Sequence, residues 1–191
     1  MIIHQAMPKD NGQLQELQGK CPQGKKLIVS TVNTPDFFAR AKAFESYRVF
    51  VACEENGIIG SHACAIHNAV VNSKLSRVGY SFQTFISPSH RRKNLAKQLL
   101  QYMEDHLIQN GAALVYGLIM EGNLPSMKLV ESLGFKLHRT LVMPGLAIYK
   151  NMDLLHWGTQ PCTADHHEGI HPCGHRNASI CQTLPARRIN G

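Results

Sequence analysis

No apolar run in this sequence approaches the roughly 18 residues that a membrane-crossing helix requires, so an α-helical span is not expected. Also missing are G-x-x-x-x-G-K-[ST] and the glycine-rich dinucleotide fingerprint, which excludes a nucleoside-triphosphate P-loop and a Rossmann-type nucleotide site. The opening MIIHQAMPKDNG has no basic region followed by an apolar stretch and a small-residue cleavage site, so a cytoplasmic address is expected. No internal repeat is present. Acidic residues are outnumbered, 13 against 20 Lys and Arg, giving a formal net charge of +7. That balance suits phosphate-bearing ligands, nucleic acid or an anionic surface equally well. What remains is a chain of 191 residues, 43% hydrophobic and 17% charged, enough for one domain with a full core and an appendage but not for two full domains.

Along the chain, IIHQAM has a strand's composition, and Asp10 is placed to cap a helix over residues 11–19. Thr34-Pro35-Asp36 starts a second helix through FFARAKAFES. YRVFVACE and IIGSHACAIHNAVV flank Glu55-Asn56-Gly57, a hairpin signal, and VGYSFQTFI is a further strand ended by Pro88. Residues 91–109 then carry Leu95, Ala96, Leu99, Leu100, Met103 and Leu107 on one face of a helix closed by Asn110-Gly111. AALVYGLIM reads as a buried strand, Pro125 to Leu133 as a helix stopped by Gly134, and FKLHRTLVM with LAIYKNM as a last pair of strands joined at Pro144-Gly145. The order β-α-α-β-β-β-α-β-α-β-β predicts a mixed α/β (α+β) architecture, a sheet covered by helices.

The stretch ISPSHRRKNLAKQLL concentrates positive charge where a helix begins. A helix N-terminus already carries unsatisfied N–H groups and the positive end of the macrodipole, so basic residues there are unfavourable unless an anion binds. Strand, proline corner, basic loop and helix is an arrangement by which backbone N–H groups hold a phosphate. Arg91, Arg92, Lys93 and Lys97 could add charge-assisted bonds, each worth about 1.5–3 kcal/mol where ordered. The alternative is a solvated basic face.

This loop resembles the R/Q-x-x-G-x-G/A motif of the GCN5-related N-acetyltransferase (GNAT) superfamily through Arg91, Asn94 and Ala96, with Asn94 in place of the central glycine. Asn is the residue after glycine that best tolerates left-handed backbone, so the turn is sterically allowed. A second element, NLPSMKLVESLGF, resembles the family's N-x-x-A/S-x-x-L-Y-E-x-x-G-F segment through Asn123, Ser126, Leu129, Glu131, Gly134 and Phe135. The resemblance covers about residues 1–152. It implies the GNAT acyl-CoA N-acyltransferase fold, a mixed, mostly antiparallel twisted sheet splayed between strands 4 and 5 and flanked by helices. It further implies acetyl-CoA as cosubstrate, with Phe85 and Ile86 along the pantetheine arm. The N–H groups of Arg92, Lys93, Asn94, Leu95 and Ala96 would lie on the pyrophosphate, and Asn123 and Ser126 beside the cofactor. Asn123 is also placed to cap a helix.

The implied activity is transfer of an acetyl group to a primary amine by direct attack in a ternary complex. Many relatives have a Tyr before the Glu of the second motif, to protonate the leaving thiolate, but Val130 stands there. Many also place a Glu on strand 4, where the nearest residue here is Tyr80. Tyr80, Tyr116 and Glu121 are therefore substitute candidates for acid and base, each with a plain structural alternative. His90 could touch phosphate or face solvent. Cys53 and Cys64 read as reduced strand thiols, so direct attack is preferred to an acetyl-cysteine route. Phe37, Phe38 and Arg40 are candidate acceptor lining, the two aromatics being better suited to the core. The expected partners are acetyl-CoA and a small-molecule or peptide amine, with no nucleic acid and no membrane, in a monomer or homodimer. An alternative is a catalytically weak or inactive acyl-CoA-binding regulatory module with a metal-binding tail.

The texture changes near Trp157. The domain is expected to span residues 1–155, and residues 156–191 read as an irregular, His- and Cys-rich tail. Within it, His167, Glu168 and His171 spell H-E-x-x-H, but Gly169 inside and Pro172 directly after oppose the helix that motif needs. No metal site is assigned. Candidate tail ligands would be Cys162, His167, His171, Cys173 and His175, together with His166 and Cys181, although no compact C-x-x-C pair is present.

Overall fold

The computed structural model describes residues 1–22, 32–120, 122–145 and 173–183, with the backbone alone for 142–145, 173–181 and 183. Seven strands, β1 (Ile2–Gln5), β2 (Ser46–Glu54), β3 (Gly57–Val71), β4 (Lys74–Ile86), β5 (Leu114–Met120), β6 (Lys136–Gly145) and β7 (Cys173–Thr183), form one sheet. Among the described residues four α-helices accompany it: α1 (Asn11–Gly19), α2 (Ala39–Lys42), α3 (Leu95–Gln109) and α4 (Leu124–Ser132). The sheet order is β1-β2-β3-β4-β5-β7-β6. Every pairing is antiparallel except β4 with β5. The expected mixed, mostly antiparallel sheet flanked by helices is thus the observed one.

Two hairpins fix the register of the first half. Glu55 and Asn56 join β2 to β3, with Gly57 at φ 111°. Asn72 and Ser73, both left-handed at φ 49° and 62°, join β3 to β4 in the backbone that a two-residue hairpin turn needs. That turn contains no glycine, which is why the sequence pattern starts the strand at Val78, four residues late.

Alternation along the strands gives the sheet two apolar faces. Phe50, Ala52, Cys64, Ile66, Val115 and Ile119 pack beneath Leu95, Leu99, Leu100, Met103 and Leu107 of α3 and Val130 of α4. On the opposite face Leu14, Leu17, Phe37 and Ala41 cover Val49, Val51, Ala63, Ala65, Tyr80, Phe82 and Phe85. Helix α3 lies so close to the sheet that a Cβ at Gly79 would come 2.5 Å from a Leu107 methyl. Any side chain at Gly79 would therefore force the buried Leu107 side chain to give way.

Several expectations are corrected. Asp10 does not cap α1: its Oδ2 turns back to accept the Met7 N–H at 2.7 Å, and no side-chain cap bond reaches the helix. The helix expected from Pro35 shrinks to α2, because Asp36 Oδ1 accepts the Phe38 N–H at 2.9 Å in a local turn, and Phe37 and Phe38 turn into the core. Helix α3 starts at Leu95, so Arg91, Arg92 and Lys93 precede it. The irregular tail does not extend over Cys173–Thr183, which form β7 between β5 and β6, paired to β5 without a break and to β6 across a bulge at His138. Unpaired strand edges supply the reason, since β5 and β6 both gain a partner by this insertion. The expected partner of FKLHRTLVM, at residues 146–152, lies outside the described residues.

Candidate functional site

β4 and β5 run side by side only from Val78↔Leu114 to Ser81↔Gly117. β4 continues to Ile86 and β5 to Met120 without pairing to each other, so the sheet parts into a wedge. A parallel ladder that stops mid-sheet leaves backbone N–H and C=O groups on one edge of Phe82–Ile86 free to meet a ligand. A bulge accentuates the parting. Ser61 pairs with Phe85 and Ala63 with Phe82, so two residues, Gln83 and Thr84, face His62, and Gln83 is left-handed at φ 53°.

His62 braces this bulge. Its Nδ1 lies 2.8 Å from Thr84 Oγ1 and its Nε2 3.4 Å from Ser81 Oγ. Full burial pushes its imidazole pKa down to about 3, so the ring is neutral, with one donor and one acceptor for the two hydroxyls.

Beyond Ile86, a short 3-10 turn, Pro88–His90, leads into the basic loop. His90 is partly exposed: its Nε2 lies 3.4 Å from Glu54 and its Nδ1 2.9 Å from Ser89 Oγ, which ties the turn to the end of β2. Arg91 is extended and donates from Nε to the Ile86 carbonyl at 3.3 Å, while Arg92 and Asn94 are left-handed at φ 61° and 62°. Asn94 thus takes up the conformation for which glycine is favoured.

Asn94 also stands at the N-cap of α3 without giving a side-chain cap bond, and its carbonyl accepts the Gln98 N–H. The N–H groups of Leu95, Ala96 and Lys97 precede the first intrahelical bond and are available to a ligand. Among the described residues, none of Arg91, Arg92, Lys93 and Lys97 has a carboxylate within ion-pair distance. Free helix N–H groups, left-handed turns and unneutralised cations converge at the open end of the wedge. Together they suit a phosphate anion.

On the far side, Asn123 caps α4, its Oδ1 accepting the Ser126 N–H at 3.3 Å. The same residues that the sequence singles out for a cofactor therefore also start a helix. Phe85 lies in the core, edge-on to Phe37, and leaves its backbone for the wedge. The Gln83 Oε1 is buried without a hydrogen-bond partner among the described residues, an acceptor that an amide N–H would satisfy. The residues present therefore fit a pantetheine arm with a pyrophosphate.

Two of the catalytic candidates, Tyr80 and Tyr116, lie on the sheet face opposite α3. Tyr80 stacks on Phe82 and on Tyr116, with ring centroids 4.9 Å apart in both pairs. Its hydroxyl accepts an Arg40 Nη2–H at 2.7 Å. The Tyr116 hydroxyl lies 3.3 Å from His67 Nε2, and burial, reinforced by Tyr80, holds its pKa above the usual phenol value. Glu121 lies outside the described residues. Val130 is buried in the core cluster that also contains the apolar face of α3. Burial pushes the Cys64 thiol up to about 12 and raises that of Cys53, which leaves neither a ready nucleophile. Of the tail candidates, Cys162, His166, His167, Glu168 and His171 lie outside the described residues, and for Cys173, His175 and Cys181 only the backbone on β7 is described.

Sequence reasoning missed His62, His67 and Gln83. Their partners are 22 and 49 residues away or, for Gln83, defined by a bulge, and no local spacing records such contacts.

The fold has many counterparts among solved structures. An N-acetyltransferase from Staphylococcus aureus Mu50 is 17% identical, with a TM-score of 0.63 and coverage of 96% of this chain and 98% of that one. NAA60 from Arabidopsis thaliana, solved with a bisubstrate analogue, is 12% identical with a TM-score of 0.66, covering 97% and 99%. A ribosomal-protein-alanine N-acetyltransferase from Brucella melitensis is 15% identical, with a TM-score of 0.60 and coverage of 96% and 100%. At these identities the likeness is one of fold. No curated protein matches the sequence. The model of the Acetyltransferase (GNAT) family, however, matches residues 13–135, well over half of the sequence and a span that contains the wedge, the basic loop and the capped helix. The chain belongs to the GNAT family of acetyltransferases.

Proposed function

We propose that the protein is an acetyl-CoA-dependent N-acetyltransferase acting on a primary amine. The observation that carries this reading is the wedge between β4 and β5 opening onto the uncapped N-terminus of α3, with Arg92 and Asn94 both left-handed in the loop between them. The backbone of Phe82–Ile86 lines the pantetheine arm, and Gln83 Oε1 accepts one of its amide N–H groups. The N–H groups from Arg92 to Ala96 hold the pyrophosphate with help from Arg91, Lys93 and Lys97, while Asn123 and Ser126 close the other side.

When bound, acetyl-CoA supplies an activated acetyl thioester. The chain's residues then have three tasks. Fixing the two reactants in one cleft removes much of the entropic barrier. Backbone N–H groups of the bulged β4 segment stabilise negative charge developing on the carbonyl oxygen. Tyr116, kept protonated by its raised pKa, delivers a proton to the leaving sulfur, and His67 orients its hydroxyl. Tyr80 forms the adjoining wall, and Glu121 remains a candidate for the base that neutralises the incoming ammonium. The inertness of Cys64 and Cys53 favours direct attack by the amine.

A second reading, an acyl-CoA-binding module without turnover, is favoured by the burial of Val130 where relatives carry a phenol. Thiol release from acetyl-CoA, measured across small amines, polyamines, amino acids and peptide N-termini, separates the two. Amine-dependent release supports the transferase. Tight acetyl-CoA binding without release over the whole panel and a pH series supports the module. The domain is proposed to close near residue 155 with β7 returning to it from the tail. The compartment is proposed to be cytoplasmic.

A further inference from the structure

Helix α2 carries two cations with different fates. Lys42 donates to Asp36 Oδ2 at 2.6 Å, so its charge is neutralised locally. Arg40 has no carboxylate within ion-pair distance among the described residues. Its guanidinium instead lies 5.1 Å from the Phe82 ring centroid and 5.9 Å from that of Tyr80, and its Nη2 donates to the Tyr80 hydroxyl at 2.7 Å. Cation–π contact with the two rings and the single hydrogen bond place the guanidinium, while the Nη1 group, the Nε–H and the second hydrogen of Nη2 have no hydrogen-bond partner among the described residues.

The position is specific. Tyr80 pairs with Tyr116 one step before the β4–β5 ladder ends, and Phe82 is the first β4 residue past it. Arg40 therefore sits over the mouth of the wedge, on the face opposite α3. Phe44, ring to ring with both Tyr80 and Phe82 at 5.8 Å, completes an aromatic wall beside it. A fixed guanidinium fork with spare parallel donors matches a carboxylate better than any neutral group, because two N–H···O bonds form at once. The phosphate-binding loop is a separate feature beyond Ile86, so Arg40 is not needed for the pyrophosphate.

We infer that Arg40 is the specificity-determining residue of an acceptor subsite that takes the carboxylate of an amino acid-like amine. This rests on the acetyltransferase reading, which makes the wedge mouth the place where an acceptor arrives. The subsite selects amines carrying a carboxylate near the nitrogen over the same amines with that group amidated.

The test compares phenylalanine with phenylalaninamide, and glycine with glycinamide, in thiol-release assays on the full chain and on Arg40→Gln and Arg40→Lys. The amide also changes the basicity of the amine, so the informative quantity is the acid-to-amide ratio of kcat/KM in each variant relative to wild type, from which that difference cancels. The expected result is a fall in this ratio on the order of 10- to 100-fold in Arg40→Gln, with a smaller fall in Arg40→Lys, which keeps the charge but loses the fork. Acetyl-CoA affinity is the folding control and stays at the wild-type value. Calorimetric binding of phenylalanine and phenylalaninamide to coenzyme A-saturated protein provides a second readout that needs no turnover. Carboxylate-selective binding lost in Arg40→Gln, without thiol release from any amine, would sustain the subsite and contradict the transferase. An unchanged acid-to-amide ratio, or in the absence of turnover equal binding of acid and amide by wild type, overturns the subsite while leaving the transferase reading to its own test.

Discussion

The Tyr116 hydroxyl lies 3.3 Å from His67 Nε2, across β4, so that a phenol on β5 is held by an imidazole on β3 at the point where the sheet begins to part. The contact joins the two strands that flank β4. It also gives the proposed acid a fixed direction, which an isolated phenol on a strand would lack.

Removing that hydroxyl therefore tests its role. Tyr116→Phe is expected to lower kcat by about 100-fold, the low end for general acid–base catalysis, with little change in acetyl-CoA affinity. Because its pKa is raised, Tyr116 stays protonated through neutral and mildly alkaline pH, and no loss of rate attributable to its ionisation should appear below about pH 10. A wild-type kcat in Tyr116→Phe, measured by thiol release, would remove it from the chemistry.

Asn94 separates sterics from ligand contact. At φ 62° a glycine relieves strain, so Asn94→Gly is expected to leave stability within about 1 kcal/mol of wild type and to preserve or tighten acetyl-CoA binding. Asn94→Val should cost more than 1 kcal/mol in denaturant unfolding, because a β-branched residue is poorly tolerated there. Weaker cofactor binding in the glycine variant would mean that the Asn side chain itself contacts the ligand.

His62 makes stability pH-dependent in one direction. Its folded pKa, near 3, lies below the ordinary value of 6.5, so the unfolded chain binds the extra proton between those two values. Its contribution is complete above pH 6.5 and is lost as pH falls, at up to about 1.4 kcal/mol per pH unit. Urea midpoints of wild type and His62→Gln at pH 7.0, 5.5 and 4.5 should converge as pH falls. Parallel pH dependences would show that this imidazole is not buried neutral.

The tail offers a structural test. β7 lies between β5 and β6, and the Gln182 side chain donates to Glu104 on α3 at 3.0 Å. Deletion of residues 173–191 should lower Tm by several degrees and promote aggregation through the exposed strand edges. An unaltered Tm would show that β7 adds nothing to the sheet.

What the sequence made legible were features with local signals. The Asn56-Gly57 hairpin, the α3 stripe from Leu95 to Leu107 and the Asn123 cap all rest on neighbours within a few residues. The basic loop was equally plain, although the helix was expected to begin at Arg91. Only the left-handed backbone of Arg92 and Asn94 explains the later start. The longer contacts were invisible. Nothing in HACAIHNAVV distinguishes His62, which braces a bulge, from His67, which holds a phenol, because strand alternation and a register shift decide where each points. β7 was missed for the same reason: Cys173–Thr183 has little period-two patterning, and its order comes from pairing with both β5 and β6 rather than from its own composition.

The loop from Arg91 to Ala96 is proposed to bind a coenzyme A pyrophosphate. Calorimetric titration of acetyl-CoA into wild type and into the Arg91→Ala/Arg92→Ala double variant, at two salt concentrations, tests it most directly. Saturable binding to wild type that weakens with salt is expected, with a loss of at least about 10-fold in affinity in the variant. Equal affinity for the two proteins, or no binding to wild type, would contradict it.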